Sequence, residues 1–108
     1  MTLNEYMELA SRTDIAKNPK DDRLIAAMGM VGEATETLEH MKKVVAQGHS
    51  LDDSKLMEET GDCLWYVAKM ARACGTTLED IATYNVAKLV ARYPDGFEVR
   101  RSINREEG

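Results

Sequence analysis

At 108 residues the chain has the length of one domain, and a chain of this size buries only about 60–70% of its unfolded surface, so association would add core. Its hydrophobic share of 44% is that of an ordinary globular protein, and its net charge of −5 weighs against a nucleic acid polymer as partner. No signal peptide and no apolar run of transmembrane length are read, which excludes a membrane span and leads us to expect a cytoplasmic protein.

Thr2-Leu3-Asn4-Glu5 has the spacing of a capping box and predicts a short helix to about Ser11, with Leu3, Tyr6, Met7 and Ala10 on one side. Asn18-Pro19 marks a break. Asp21 and Asp22 suit the first turn of a long helix that Gly48 stops after about Gln47. Its expected main seam is Leu24, Met28, Val31, Thr35 and Leu38, while a different stripe carries Gly29, Glu33, Glu36, His40 and Lys43.

After a loop at Gly48-His49-Ser50, Ser50 or Asp52 caps a third helix from about Asp52 to Cys74, and Gly75 ends it. Leu56, Cys63, Val67, Met70 and Cys74 recur along it at helical spacing. Its two cysteines are about 16 Å apart on that helix, too far to bridge, and as small buried hydrophobes they fit a reducing compartment. Trp65 points almost opposite the seam, which favours a subunit-interface anchor over a base-stacking surface. Thr76-Thr77-Leu78-Glu79-Asp80 opens a fourth helix from about Leu78 to Tyr93, and Pro94-Asp95-Gly96 terminates it. Strand signals are absent. The expected fold class is therefore an all-α helical bundle, with residues 1–97 as the domain and 98–108 as a charged arm or tail.

Any single acid on a helix is ordinarily solvated, but here the acids come in pairs. Glu33 and Glu36, and Glu59 and Asp62, are each three apart, so each pair shares a helix face beside an apolar seam. A short connection makes consecutive helices antiparallel neighbours, so the four carboxylates are expected to converge. Like charges at that range need a cation or raised pKa values, and hard divalent cations prefer oxygen ligands. A di-iron carboxylate site is disfavoured, since it wants Glu-x-x-His, whereas Glu36 and His40 are four apart and His49 lies in the loop. Zinc is weaker still, with both cysteines assigned to the apolar seam. On the fourth helix Asn85, Lys88 and Arg92 form one stripe that can hold phosphate oxygens or simply face solvent.

Three motifs in order, Gly32-Glu33-x-x-Glu36, Glu58-Glu59-Thr60-Gly61-Asp62-Cys63-Leu64-Trp65-Tyr66 and Asn85-x-x-Lys88-x-x-x-Arg92-Tyr93-Pro94-x-Gly96-Phe97, resemble those of the MazG-like nucleotide pyrophosphohydrolases of the all-α NTP pyrophosphatase superfamily. The resemblance covers roughly Leu24 to Phe97. It implies a helical bundle assembled as a homodimer or homotetramer. It also implies Mg²⁺-dependent cleavage of a nucleoside triphosphate to monophosphate and pyrophosphate, with Mn²⁺ as a substitute. The family's metal-binding acids carry over onto Glu33, Glu36, Glu59 and Asp62, and its substrate positions onto Tyr66, Asn85, Lys88 and Arg92, with Glu36 chosen as the catalytic base. Thr60 and Cys63 depart from the apolar residues common there. Among possible N-terminal base-clamping aromatics, only Tyr6 is present. The alternative reading is a non-catalytic helical oligomerisation or regulatory module of the same fold.

Overall fold

The computed structural model describes residues 1–15, 17–97 and 99–104, and these form helices with one isolated bridge between Pro94 and Gly96. Helix α1 spans Leu3–Ser11, α2 Pro19–Gln47, α3 Asp53–Ala73, α4 Leu78–Arg92 and α5 Val99–Asn104. The chain falls into two compact units, Met1–Leu78 and a second that begins at Glu79. No helix among the described residues is long and apolar enough to cross a membrane.

The helix starts follow from capping chemistry. Thr2 caps α1, its hydroxyl accepting from the Glu5 N–H. Asn18 caps α2, its side chain accepting from the Asp21 N–H at 3.0 Å, and Pro19 takes the first helical position, where its missing N–H goes unneeded. Asp21 and Asp22 lie in the first turn of α2, as expected. Asp52 caps α3 by accepting from the Ser54 and Lys55 N–H groups. A bond from the Ser54 hydroxyl at 2.6 Å first, then those from the Lys55 and Ser54 N–H groups and the nearby His40, hold the Asp52 carboxyl below its usual range against the opposing effect of burial. Gly48 and Gly75 end α2 and α3 at φ of 72° and 70°, the left-handed conformation that glycine adopts without strain.

The core of the first unit is thin. Met7, Ala68, Ala71 and Leu78 form it, with Tyr6 and Val67 packed against it, and no large side chain among the described residues is fully buried. Polar contacts do much of the remaining fastening. Asp14 pairs with Lys69 and with Arg72, each at 2.6 Å, and Lys69 also faces Asp22 at 3.5 Å. Arg72 further donates to the Met7 carbonyl, which ties α1 and the segment after it onto α3. Burial alone would raise the Asp14 pKa, but hydrogen bonds from Lys69 and Arg72, and their charges, outweigh it and hold the carboxyl below its usual range.

α2 packs on α3, but not through the expected seam. Leu24, Met28, Val31 and Leu38 are exposed, at 61 to 68%. The face turned inward instead carries Asp22, Ala26, Gly29, Glu33, Thr37, His40 and Val44, each buried or half-buried. Steric fit and hydrogen bonding decide this. A Cβ at Gly29 would lie 2.2 Å from the Tyr66 ring, so only glycine lets that ring lie against α2. Arg23 donates to the Ala73 carbonyl, and buried His40 accepts from the Asp52 N–H at 3.2 Å through Nε2. Cys74, expected on the buried seam of α3, is exposed, because α3 ends at Ala73; Cys63 is half-buried.

In the second unit, Glu79 and Asp80 occupy the first turn of α4 and Arg92 its last, each favourable against the helix dipole. The Tyr93 and Phe97 rings meet at 5.3 Å across the turn that Gly96 closes at a φ of 92°. Of the expected arm or tail, Val99–Asn104 form helix α5, and residues 98 and 105–108 lie outside the described residues.

Candidate functional site

Glu33 of α2 and Glu59 and Asp62 of α3 each offer a carboxylate oxygen, and these oxygens lie within 4.8 Å of one another. The placement follows from register. Glu33 lies one turn beyond Gly29 and Asp62 one turn before Tyr66, so the Gly29–Tyr66 contact sets the approach of the two helices beside the acids. Glu59 is only 5% exposed, among the half-buried Leu56 and Cys63, while Asp62 opens to solvent. Lys55, half exposed, pairs with Glu59 at 3.6 Å, and its single charge does not offset three carboxylates. Partial burial first, and then the negative charges of Asp62, Glu36 and Glu59, push the Glu33 carboxyl above its usual range, helped by a hydrogen bond with Glu59.

Beside the acids is an open cavity of about 380 Å³ lined by Thr13, Glu33, Asp62, Trp65 and Tyr66. The Trp65 and Tyr66 rings meet edge to face, with centroids 4.9 Å apart. The Trp65 indole N–H donates to the Thr13 hydroxyl at 2.8 Å, so the ring expected at a subunit interface is engaged by the chain's own segment after α1. Tyr6 of α1 is close enough for Asp62 to matter: burial first, then the Asp62 charge, raises its phenol pKa despite the opposing Arg72 charge.

Of the acids named from sequence, Glu33, Glu59 and Asp62 are brought together. Glu36 is exposed and outside that trio, although its charge reaches Glu33. Tyr66 lines the same cavity as Glu33 and Asp62. Asn85, Lys88 and Arg92 are exposed on α4, at a spacing that puts them on one stripe of that helix. Sequence reasoning missed Thr13 and the Gly29–Tyr66 contact. A glycine inside a helix is a signal for a close approach, but nothing local marks Thr13.

Fold and site together define an all-helical protein in which two long helices hold a carboxylate cluster beside an aromatic-walled cavity. Residues 23–97 match the MazG nucleotide pyrophosphohydrolase domain, and the chain belongs to that family. It is also similar to the Gene 37 protein of Mycobacterium phage L5, 36% identical over 75 residues that cover 64% of this chain and 64% of that protein. The chain thus spans less than two thirds of that relative's length. No solved structure matches the chain.

Proposed function

We propose that this chain is a Mg²⁺-dependent nucleoside triphosphate pyrophosphohydrolase, with Mn²⁺ able to substitute, that releases a nucleoside monophosphate and pyrophosphate. The observation that carries the reading is the Glu33–Glu59–Asp62 cluster within the region matching the family domain. The donors suit a hard divalent cation, being carboxylate oxygens only, and the repulsion among oxygens within 4.8 Å of one another is what a cation would relieve. When bound, such a cation supplies positive charge against the triphosphate and acidifies water.

Glu33, Glu59 and Asp62 would hold the metal. Glu36, one turn on and open to solvent, is the proposed fourth acid and the base that takes the proton from the attacking water. Water adds at a phosphorus beside the α–β bridging oxygen, and the bridge breaks. Asn85, Lys88 and Arg92 are assigned to phosphate oxygens, the two cations opposing charge that builds on the leaving group.

The reading extends to assembly. Arg23 with Ala73, Gly29 with Tyr66, Glu33 with Asp62 and His40 with Asp52 pair α2 and α3 in opposite chain order, which supports the antiparallel arrangement. Leu24, Met28, Val31, Thr35 and Leu38 alternate by four and three, the spacing of a coiled-coil seam, and all are exposed. That seam supports a homodimer or homotetramer. A cytoplasmic setting agrees with the free thiols of Cys63 and Cys74.

The test is a screen of ribo- and deoxyribonucleoside triphosphates with Mg²⁺, with pyrophosphate release as readout. Release from at least one substrate, abolished by chelation, is expected. No release from any of them, with Mg²⁺ or Mn²⁺, would leave the non-catalytic reading in its place.

A further inference from the structure

Trp65 has no part in the metal reading, yet it lines the same cavity as Glu33 and Asp62. Its polar atom is already committed: the indole N–H donates to Thr13, and the Thr13 hydroxyl in turn donates to the Ala10 carbonyl at 2.9 Å. A ring whose one donor is satisfied within the chain offers a ligand only its π surface. The edge-to-face contact with Tyr66 fixes the ring from one side, and the Thr13 bond fixes it from the other. Thr13 is itself held, because the next residue, Asp14, is clamped by Lys69 and Arg72 of α3, with Asp14 and Lys69 side chains each only 4% exposed. The cavity, about 380 Å³, is of a size that takes a small molecule, and both carboxylates and aromatic rings line it.

From this geometry we infer that Trp65 is the platform on which the nucleobase stacks, and that Thr13 is the positioning residue that orients it. The inference rests on the nucleotide reading above and deepens it by naming what holds the base. Stacking on an aromatic face works for every base, because each has a π surface. The contribution of Trp65 is therefore to the affinity for nucleosides as a class, purine and pyrimidine alike, while the acids serve the phosphate end.

Trp65 is the single tryptophan of the chain, so its emission reports on this ring alone. The full chain with Mg²⁺ is titrated with nucleoside triphosphates and, separately, with inorganic tripolyphosphate. Saturable quenching by the nucleotides and little change with tripolyphosphate are expected. Trp65→Leu should raise KM by about ten- to a hundredfold with kcat within about twofold, and Trp65→Phe should recover most of that loss. Thr13→Val keeps the shape and removes the acceptor; it should shift the free-state emission and raise KM by a smaller factor. Equal quenching by tripolyphosphate, or an unchanged KM in Trp65→Leu, would overturn the inference. The quenching arm reads binding and needs no turnover. Absent pyrophosphate release with intact nucleotide quenching would sink the catalytic reading alone, and intact release without quenching would sink only the platform. Should Trp65→Leu fail to fold by circular dichroism, the wild-type titration and Thr13→Val still decide it.

Discussion

Asp14→Asn tests whether buried charge, rather than apolar packing, fastens the N-terminal segment to α3. The carboxylate sits 2.6 Å from both Lys69 and Arg72, and its side chain is 4% exposed. Removing one partner of a buried pair costs about 3–5 kcal/mol, because the other charge is left without compensation. Asp22 still faces Lys69 at 3.5 Å and Arg72 reaches some solvent, so the loss should fall at the low end, about 3 kcal/mol. For a domain near 100 residues that lowers the melting temperature by roughly 12 °C, at roughly 4 °C per kcal/mol. The sign of the pH dependence follows from the depressed Asp14 pKa. Its stabilisation is present above the ordinary aspartate range and is lost as pH falls through that range toward the folded value. Asp14→Asn should therefore flatten the acid limb of the stability profile, and Trp65 emission should shift as Thr13 loosens. Thermal melts by circular dichroism at several pH values provide the assay. A variant melting within about 2 °C of wild type, with the acid limb intact, would refute the reasoning.

Glu59→Gln removes one charge from the cluster with little change of shape; the metal-free protein should be as stable as wild type or more so, while pyrophosphate release falls at least about tenfold, near 1.4 kcal/mol of barrier. Glu39→Gln, exposed on α2, is the control expected to leave turnover unchanged. Mg²⁺ should raise the melting temperature of the wild type, by mass action worth about 2.7 kcal/mol at a hundredfold excess over its dissociation constant, and far less that of Glu59→Gln. Gly29→Ala drives a methyl into the Tyr66 ring; overpacking of about 1–3 kcal/mol should exceed the helix-propensity gain of about 1 kcal/mol, and in a Tyr66→Ala background the same change should turn neutral or favourable in denaturant titrations. Val31→Glu places a charge in the exposed α2 seam, and light scattering at micromolar concentration should show a smaller species than wild type.

Helix existence and most helix ends were legible because caps and stop signals are local: Thr2, Asp52, Gly48 and Gly75 each act within a few residues of themselves. So was membership of the family, carried by acids and basic residues at fixed spacings along α2, α3 and α4. The inward face of α2 was misread for a physical reason. Apolar periodicity identifies a face that avoids water, not the neighbour that covers it, and Leu24, Met28, Val31 and Leu38 form the stronger apolar pattern. The face that meets α3 is polar and small, held by the Gly29–Tyr66 fit, by the bond Arg23 donates to the Ala73 carbonyl and by the bond His40 accepts from the Asp52 N–H, all of which depend on residues distant in the chain. Asp14, Lys69 and Arg72 were illegible for the same cause, since their pairing spans more than fifty residues of chain.

The two faces of α2 explain why this sequence tolerates so thin a core. Gathering Glu33, Glu59 and Asp62 works against the isolated fold, because like charges at that range repel. Leaving four large apolar side chains of the opposite face in water forgoes roughly 1.5–3 kcal/mol for each that burial would supply. Neither arrangement serves the chain by itself. On the proposed function each would become favourable with something else present: a cation on the inner face, a second apolar surface on the outer one. The same residues that weaken the lone fold are then the ones through which metal binding and association would add to it, and Gly29, by letting Tyr66 lie against α2, holds the inner face at the spacing the acids require.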